Sequence, residues 1–165
     1  MYEAIKNFHE QFAFEPQIEN ASLLPQATKY VVVGMGGSHL AADLLRVWNP
    51  ALNLIIHEDY GLPAMSDDEL RERLIILSSY SGNTEEVLEA FEEARIKNLP
   101  CAVITIGGKL LELAKTNSVP YIQMPDTGIQ PRCALGFSLM ALFKLIDQPE
   151  ALQEARQLSS LLRPD

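Results

Sequence analysis

Residues 78–86 read Ser-Ser-Tyr-Ser-Gly-Asn-Thr-Glu-Glu and lie between an apolar run, Leu74–Leu77, and a charged amphipathic segment that continues to about Lys97. That pattern predicts a strand-to-helix turn crowded with hydroxyl side chains. Such a turn aims backbone N–H groups, the positive end of a helix dipole and several hydroxyls at one spot, the chemistry needed to hold a phosphate without a metal. Helix capping is the competing explanation. Asn83 or Thr84 as N-cap, with Glu85 and Glu86 in the first turn, would satisfy orphan amides and complement the dipole.

A second loop of the same kind precedes it. The run Lys29–Val33 leads into Gly34-Met35-Gly36-Gly37-Ser38 and then a helical pattern, Leu40, Ala41, Leu44 and Leu45. Glycines there let a ligand approach the backbone closely. A dinucleotide fingerprint is the obvious rival, but the third glycine of G-x-G-x-x-G would fall at His39. A third loop, Asp126-Thr127-Gly128-Ile129-Gln130-Pro131-Arg132, follows a later apolar run and opens a helical pattern near Cys133.

Composition narrows the function classes. The chain has 165 residues, 47% of them apolar, enough for one domain with a substantial core. A net charge of −9 argues against nucleic acid or an anionic membrane as partner, because phosphate backbones are bound through clustered Lys and Arg. An anionic ligand must then be held by amides, hydroxyls and one or two basic residues. Cys101 and Cys133 have neither zinc-ligand nor CxxC spacing, so neither a metal nor another cofactor is expected. Nothing at the N-terminus resembles a signal peptide or a membrane span, and a cytoplasmic protein is expected.

Apolar, largely β-branched runs at 30–33, 52–57, 74–78, 101–106 and 119–123 alternate with helical patterns at about 38–47, 67–72, 84–98, 109–117 and 131–146. Continuous apolar strands separated by helices make a parallel sheet covered on both faces. The expected fold is a three-layer αβα sandwich with five parallel strands. An amphipathic N-terminal helix, Tyr2 to about Phe12, a linker with Pro16 and Pro25, and a C-terminal helix, Pro149–Leu162, flank it. Ligands bind outside the carboxyl ends of such strands, and all three loops lie there, so one pocket could collect them.

In order and spacing, Gly34-Met35-Gly36-Gly37-Ser38, Ser79-Tyr80-Ser81-Gly82-Asn83-Thr84-Glu85-Glu86 and Gln130-Pro131-Arg132-Cys133-Ala134-Leu135-Gly136 resemble the sugar isomerase (SIS) domain. The match is most like the N-terminal half of the bifunctional phosphoglucose/phosphomannose isomerases. It covers roughly residues 25–146 and leaves 1–24 and 147–165 as flanking segments. The resemblance implies a flavodoxin-like sheet that binds a phosphorylated sugar. By position it implies Ser79, Ser81 and Thr84 as phosphate-binding hydroxyls, Gly36, Gly37 and Ser38 as the sugar-contacting loop, and Arg132 as the group that stabilises an enediolate.

The same resemblance implies two such domains in one chain, with a glutamate base and a ring-opening histidine supplied by the second. Only the first is represented in this sequence. Aldose–ketose isomerisation needs a base to move a proton between adjacent carbons, so an active enzyme would take it from a partner subunit or from elsewhere in the chain. His39, which follows Ser38 in the glycine loop, is a catalytic candidate beside Arg132. His57 beside Glu58 and Asp59, and His9 reaching into a partner, are others. Cys133 reads as a small buried residue. The apolar residues Leu135, Phe137, Leu139, Met140, Leu142 and Phe143 are expected to pack on a second copy in a homodimer. A sugar-phosphate isomerase, a non-catalytic sugar-phosphate-binding module and one half of a larger isomerase all fit this reading.

Overall fold

A computed structural model describes residues 2–164. Five parallel strands, β1 (Lys29–Val33), β2 (Asn53–His57), β3 (Leu74–Ser78), β4 (Cys101–Thr105) and β5 (Tyr121–Gln123), form one sheet in the order β2-β1-β3-β4-β5. This is the flavodoxin-like order, with its switch point between β1 and β3. Register is continuous there, Tyr30 opposite Leu74 through Val33 opposite Leu77.

Alternation along the buried strands sends side chains into two cores. Tyr30, Val32, Leu74, Ile76, Ala102 and Ile104 face one layer, made by α2 (Leu40–Trp48), α6 (Leu135–Leu145) and α7 (Pro149–Leu161). Val31, Val33, Ile75, Leu77, Cys101 and Val103 face the other, made by α3 (Asp67–Arg71), α4 (Glu85–Ile96) and α5 (Gly108–Thr116). Both faces being covered explains why β3 and β4 read as unbroken apolar runs. The α/β sandwich expected from the sequence is the one observed.

Three boundaries differ from expectation, each for a local reason. The N-terminal helix stops early: α1 covers Tyr2–Lys6, and a 3-10 turn takes over at Phe8–Ala13. Tertiary packing wins there. Phe12 is buried, its ring meets Phe8 edge-on at 5.3 Å between centroids, and Phe14 meets Phe137 at 5.7 Å. The fifth strand is shorter because Pro120 has no N–H to donate to a ladder. Its outer edge is covered by Glu19, whose amide and carbonyl pair with Tyr121 as an antiparallel bridge. The sixth helix begins at Leu135 rather than Pro131, because Pro131–Cys133 forms a separate 3-10 turn.

The apolar residues of α6 expected to meet a second copy are covered by their own chain. Phe137, Met140, Leu142 and Phe143 are buried, and Leu135 and Leu139 pack against the same core. The exposed apolar stripe lies instead on α2, where Leu44, Val47 and Trp48 follow i, i+3, i+4 spacing.

Candidate functional site

The loops after β1 and β3 leave the sheet toward opposite faces, α2 on one and α4 on the other, and so open a crevice at the switch point. The β3 loop is built by its own hydroxyls. The Ser79 hydroxyl lies 2.8 Å from that of Thr84 and accepts the Gly82 amide at 3.1 Å. The Ser81 hydroxyl accepts the Asn83 amide at 3.2 Å. Ser79 is 1% exposed, so it braces the turn from behind, while Ser81 is exposed and Thr84 half-buried.

Thr84 occupies the N-cap position of α4, yet its side chain makes no capping hydrogen bond. Asn83 does not cap the helix either. Its Oδ1 accepts the Lys109 amide at 3.1 Å, at the start of α5, and its Nδ2 donates to the Ser81 carbonyl at 3.3 Å. Capping therefore accounts for the residue types only in part, and the first-turn amides of α4 are left for other acceptors. The loop after β4 is the part sequence reasoning passed over. Gly82, with φ +70°, packs so closely on the Gly107 carbonyl that a Cβ there would overlap it. The Thr105 hydroxyl holds that carbonyl at 2.9 Å. A glycine pair directly after a strand, Gly107-Gly108, was the available signal.

The first and third loops also interlock. A Cβ on Gly37 would lie 2.6 Å from the Arg132 amide nitrogen, so this glycine is what lets the 3-10 turns Gly36–Ser38 and Pro131–Cys133 meet. Ser38 ties the first loop to the second: its carbonyl accepts the Ser78 hydroxyl at 2.9 Å and its hydroxyl accepts the Tyr80 amide at 3.1 Å. Arg132 is exposed and, among the described residues, in no ion pair. Beneath the third loop the Tyr80 hydroxyl is buried, with Asp126 and Thr127 near it. Burial first, then the Asp126 carboxylate, raise its pKa, with the Thr127 hydroxyl acting in the opposite sense.

His39 sits between two carboxylates, Nδ1 at 2.8 Å from Asp43 and Nε2 at 3.0 Å from Glu58. Both ring nitrogens are engaged, so transferring a proton to or from a sugar requires one carboxylate to move. The expected pairing of His57 with Glu58 does not form. Neighbouring residues at a strand end point apart; His57 Nε2 lies 3.4 Å from the Tyr60 carbonyl while Glu58 reaches back to His39. His9 is half-buried in the N-terminal 3-10 turn with its Nδ1 enclosed and, among the described residues, without a hydrogen-bond partner. Cys133 is half-buried. The described residues hold no cluster of three or more His, Cys, Asp or Glu arranged for a metal, and no helix long and apolar enough to cross a membrane.

No family model matches the sequence. The chain is 40% identical over 152 residues to the bifunctional phosphoglucose/phosphomannose isomerase of Caldicellulosiruptor bescii, covering 88% of this chain and 44% of that protein. In fold it is similar to the Vibrio vulnificus NanR protein complexed with ManNAc-6P, with TM-score 0.60, 21% identity, and 98% of this chain and 66% of that one covered. It is similar too to tagatose-6-phosphate ketose/aldose isomerase from Escherichia coli, with TM-score 0.59, 20% identity, and 96% and 45% covered. The strand order and the loops at its switch point are those of the sugar isomerase (SIS) domain fold, and the chain has that fold. Within that class its sequence is related to the bifunctional phosphoglucose/phosphomannose isomerases, of whose length it spans about half.

Proposed function

We propose that this chain binds a hexose 6-phosphate at the carboxyl end of its sheet and, with a base supplied by a second subunit or a second half, interconverts aldose and ketose. The observation that carries this reading is the hydroxyl-lined, uncapped N-terminus of α4 at the β1/β3 switch point. The phosphate sits on Ser81, Thr84 and the first-turn amides, with Ser79 orienting the Thr84 hydroxyl. The sugar lies over Gly36, Gly37 and Ser38. Arg132, the only cation within the three matched motifs, compensates the charge that develops on an enediolate oxygen. His39 serves as acid or base only if Glu58 or Asp43 releases it. The binding unit is residues 25–146, with 1–24 and 147–165 as flanking segments.

The protein is further proposed to be a cytoplasmic homodimer, with the Leu44, Val47 and Trp48 stripe of α2 as the surface that a second copy covers. Sedimentation of a monomer at micromolar concentration would count against the dimer. A non-catalytic sugar-phosphate-binding module is the second reading, favoured by the engagement of both His39 nitrogens and by the likeness in fold to a protein complexed with ManNAc-6P. Incubation with fructose 6-phosphate in deuterated solvent separates the two. Exchange of the C1 or C2 hydrogen, strongly reduced by Arg132→Ala, supports the isomerase with a base from a second copy of this chain; no exchange by the unmodified chain leaves the binding module or one half of a larger isomerase.

A further inference from the structure

Gln11 is the most deeply buried amide side chain of the N-terminal segment, 3% exposed, and all its partners lie more than 120 residues away. Its Nε2 donates to the Cys133 carbonyl at 2.6 Å. Its Oε1 accepts the Gly136 amide at 2.9 Å and the Phe137 amide at 3.3 Å. Those two amides belong to the first turn of α6, whose own N-cap residue, Ala134, offers no side-chain acceptor. Gln11 thus caps α6 from a distance and grips the last residue of the turn that carries Arg132.

Glycine at 136 follows from the same contact: a Cβ there would lie 2.7 Å from Gln11 Cβ and 3.0 Å from its Oε1. The Pro131–Cys133 turn is therefore held on two sides, by Gly37 against the Arg132 amide and by Gln11 at the Cys133 carbonyl. We infer that Gln11 is a positioning residue for Arg132, setting where the guanidinium stands over the sugar. This inference rests on the sugar-phosphate reading above.

The experiment uses the full chain, with calorimetric titration of fructose 6-phosphate and, separately, of inorganic phosphate. In Gln11→Glu the carboxylate still accepts the Gly136 and Phe137 amides and suits a helix N-terminus, but it repels the Cys133 carbonyl. Gln11→Met, similar in length, removes both functions and serves if a buried charge prevents folding. The expected result is a loss of fructose 6-phosphate affinity of about five- to tenfold, the worth of one misplaced hydrogen bond, with inorganic phosphate binding unchanged. A general loosening of the fold would weaken both ligands alike, and that outcome, or unchanged affinity for both, overturns the positioning role. Arg132→Ala is the control. If it leaves fructose 6-phosphate affinity intact, the guanidinium does not act on the bound sugar and the inference fails while the phosphate site stands; if the unmodified chain does not bind this ligand, the underlying reading fails and the inference with it. If Arg132→Ala weakens binding while neither Gln11 variant does, the inference alone is wrong.

Discussion

The two ends of the sheet are built on opposite plans. At the carboxyl end the backbone is packed to the limit: Gly82 touches the Gly107 carbonyl, Gly37 admits the Arg132 peptide, and hydroxyls bond to backbone groups across the first and second loops. At the amino end there is space. A cleft of about 710 Å³ opens there beneath residues 24–28 and is lined by Leu24, Tyr30, Leu52, Lys144 and Asp147 among others. Polar chemistry converges on the crowded end, and the roomy end carries no matched motif. Volume alone favours the amino end; the density of oriented donors favours the other, where the proposed site lies.

The comparison breaks first at Gly82. Gly82→Ala adds a Cβ inside the Gly107 carbonyl at a φ of +70°, and a loss of about 3 kcal/mol or more in urea unfolding is expected. Next comes the proposed phosphate site: Ser81→Ala with Thr84→Ala should weaken sugar-phosphate binding by roughly 2–4 kcal/mol in calorimetry, two hydrogen bonds to a charged group discounted for the exposure of Ser81. Unchanged affinity would place the ligand elsewhere.

A smaller effect belongs to the amino end. Cys101 begins β4 there, and burial pushes its thiol up to about 11 from the ordinary 9.0. The unfolded chain then releases this proton first, so stability is unaffected below about pH 9 and declines as pH rises toward about 11. A slope worth about 1–2 kcal/mol over the accessible part of that window, removed by Cys101→Ala, is the outcome to look for. Smallest of all is Thr28→Val at the mouth of the large cleft, which should leave ligand affinity within about 0.5 kcal/mol of the unmodified chain.

How much of this was legible depends on the reach of each interaction. Leu74–Leu77 and Cys101–Thr105 announced themselves, because a strand buried on both faces must be apolar throughout. The three loops were legible because hydroxyls and glycines at strand ends have few other uses. What the sequence hid was pairing. Glu58 was read with its neighbour His57, but strand geometry turns the two apart and gives Glu58 to His39. Gln11 falls inside the span read as an amphipathic helix and was not singled out, since nothing local marks a side chain whose partners are Cys133, Gly136 and Phe137. The apolar positions of α6 advertised burial correctly but not by what. The answer was α2, α7 and the N-terminal turn of the same chain.

The bond from Gln11 to Cys133 also bears on the order in which the molecule comes together. Closing a loop of 122 residues carries a high entropic cost and is repaid only when both ends are already shaped. During synthesis the N-terminal turn emerges first and must wait, its Phe12 and Gln11 unburied, until α6 and α7 arrive. The β1–β4 ladders can form in the meantime, so the glycine and serine loops are in place before the arginine turn is fixed. In refolding, recovery of strand structure should therefore run ahead of recovery of sugar-phosphate affinity, with the lag lengthened by Gln11→Met.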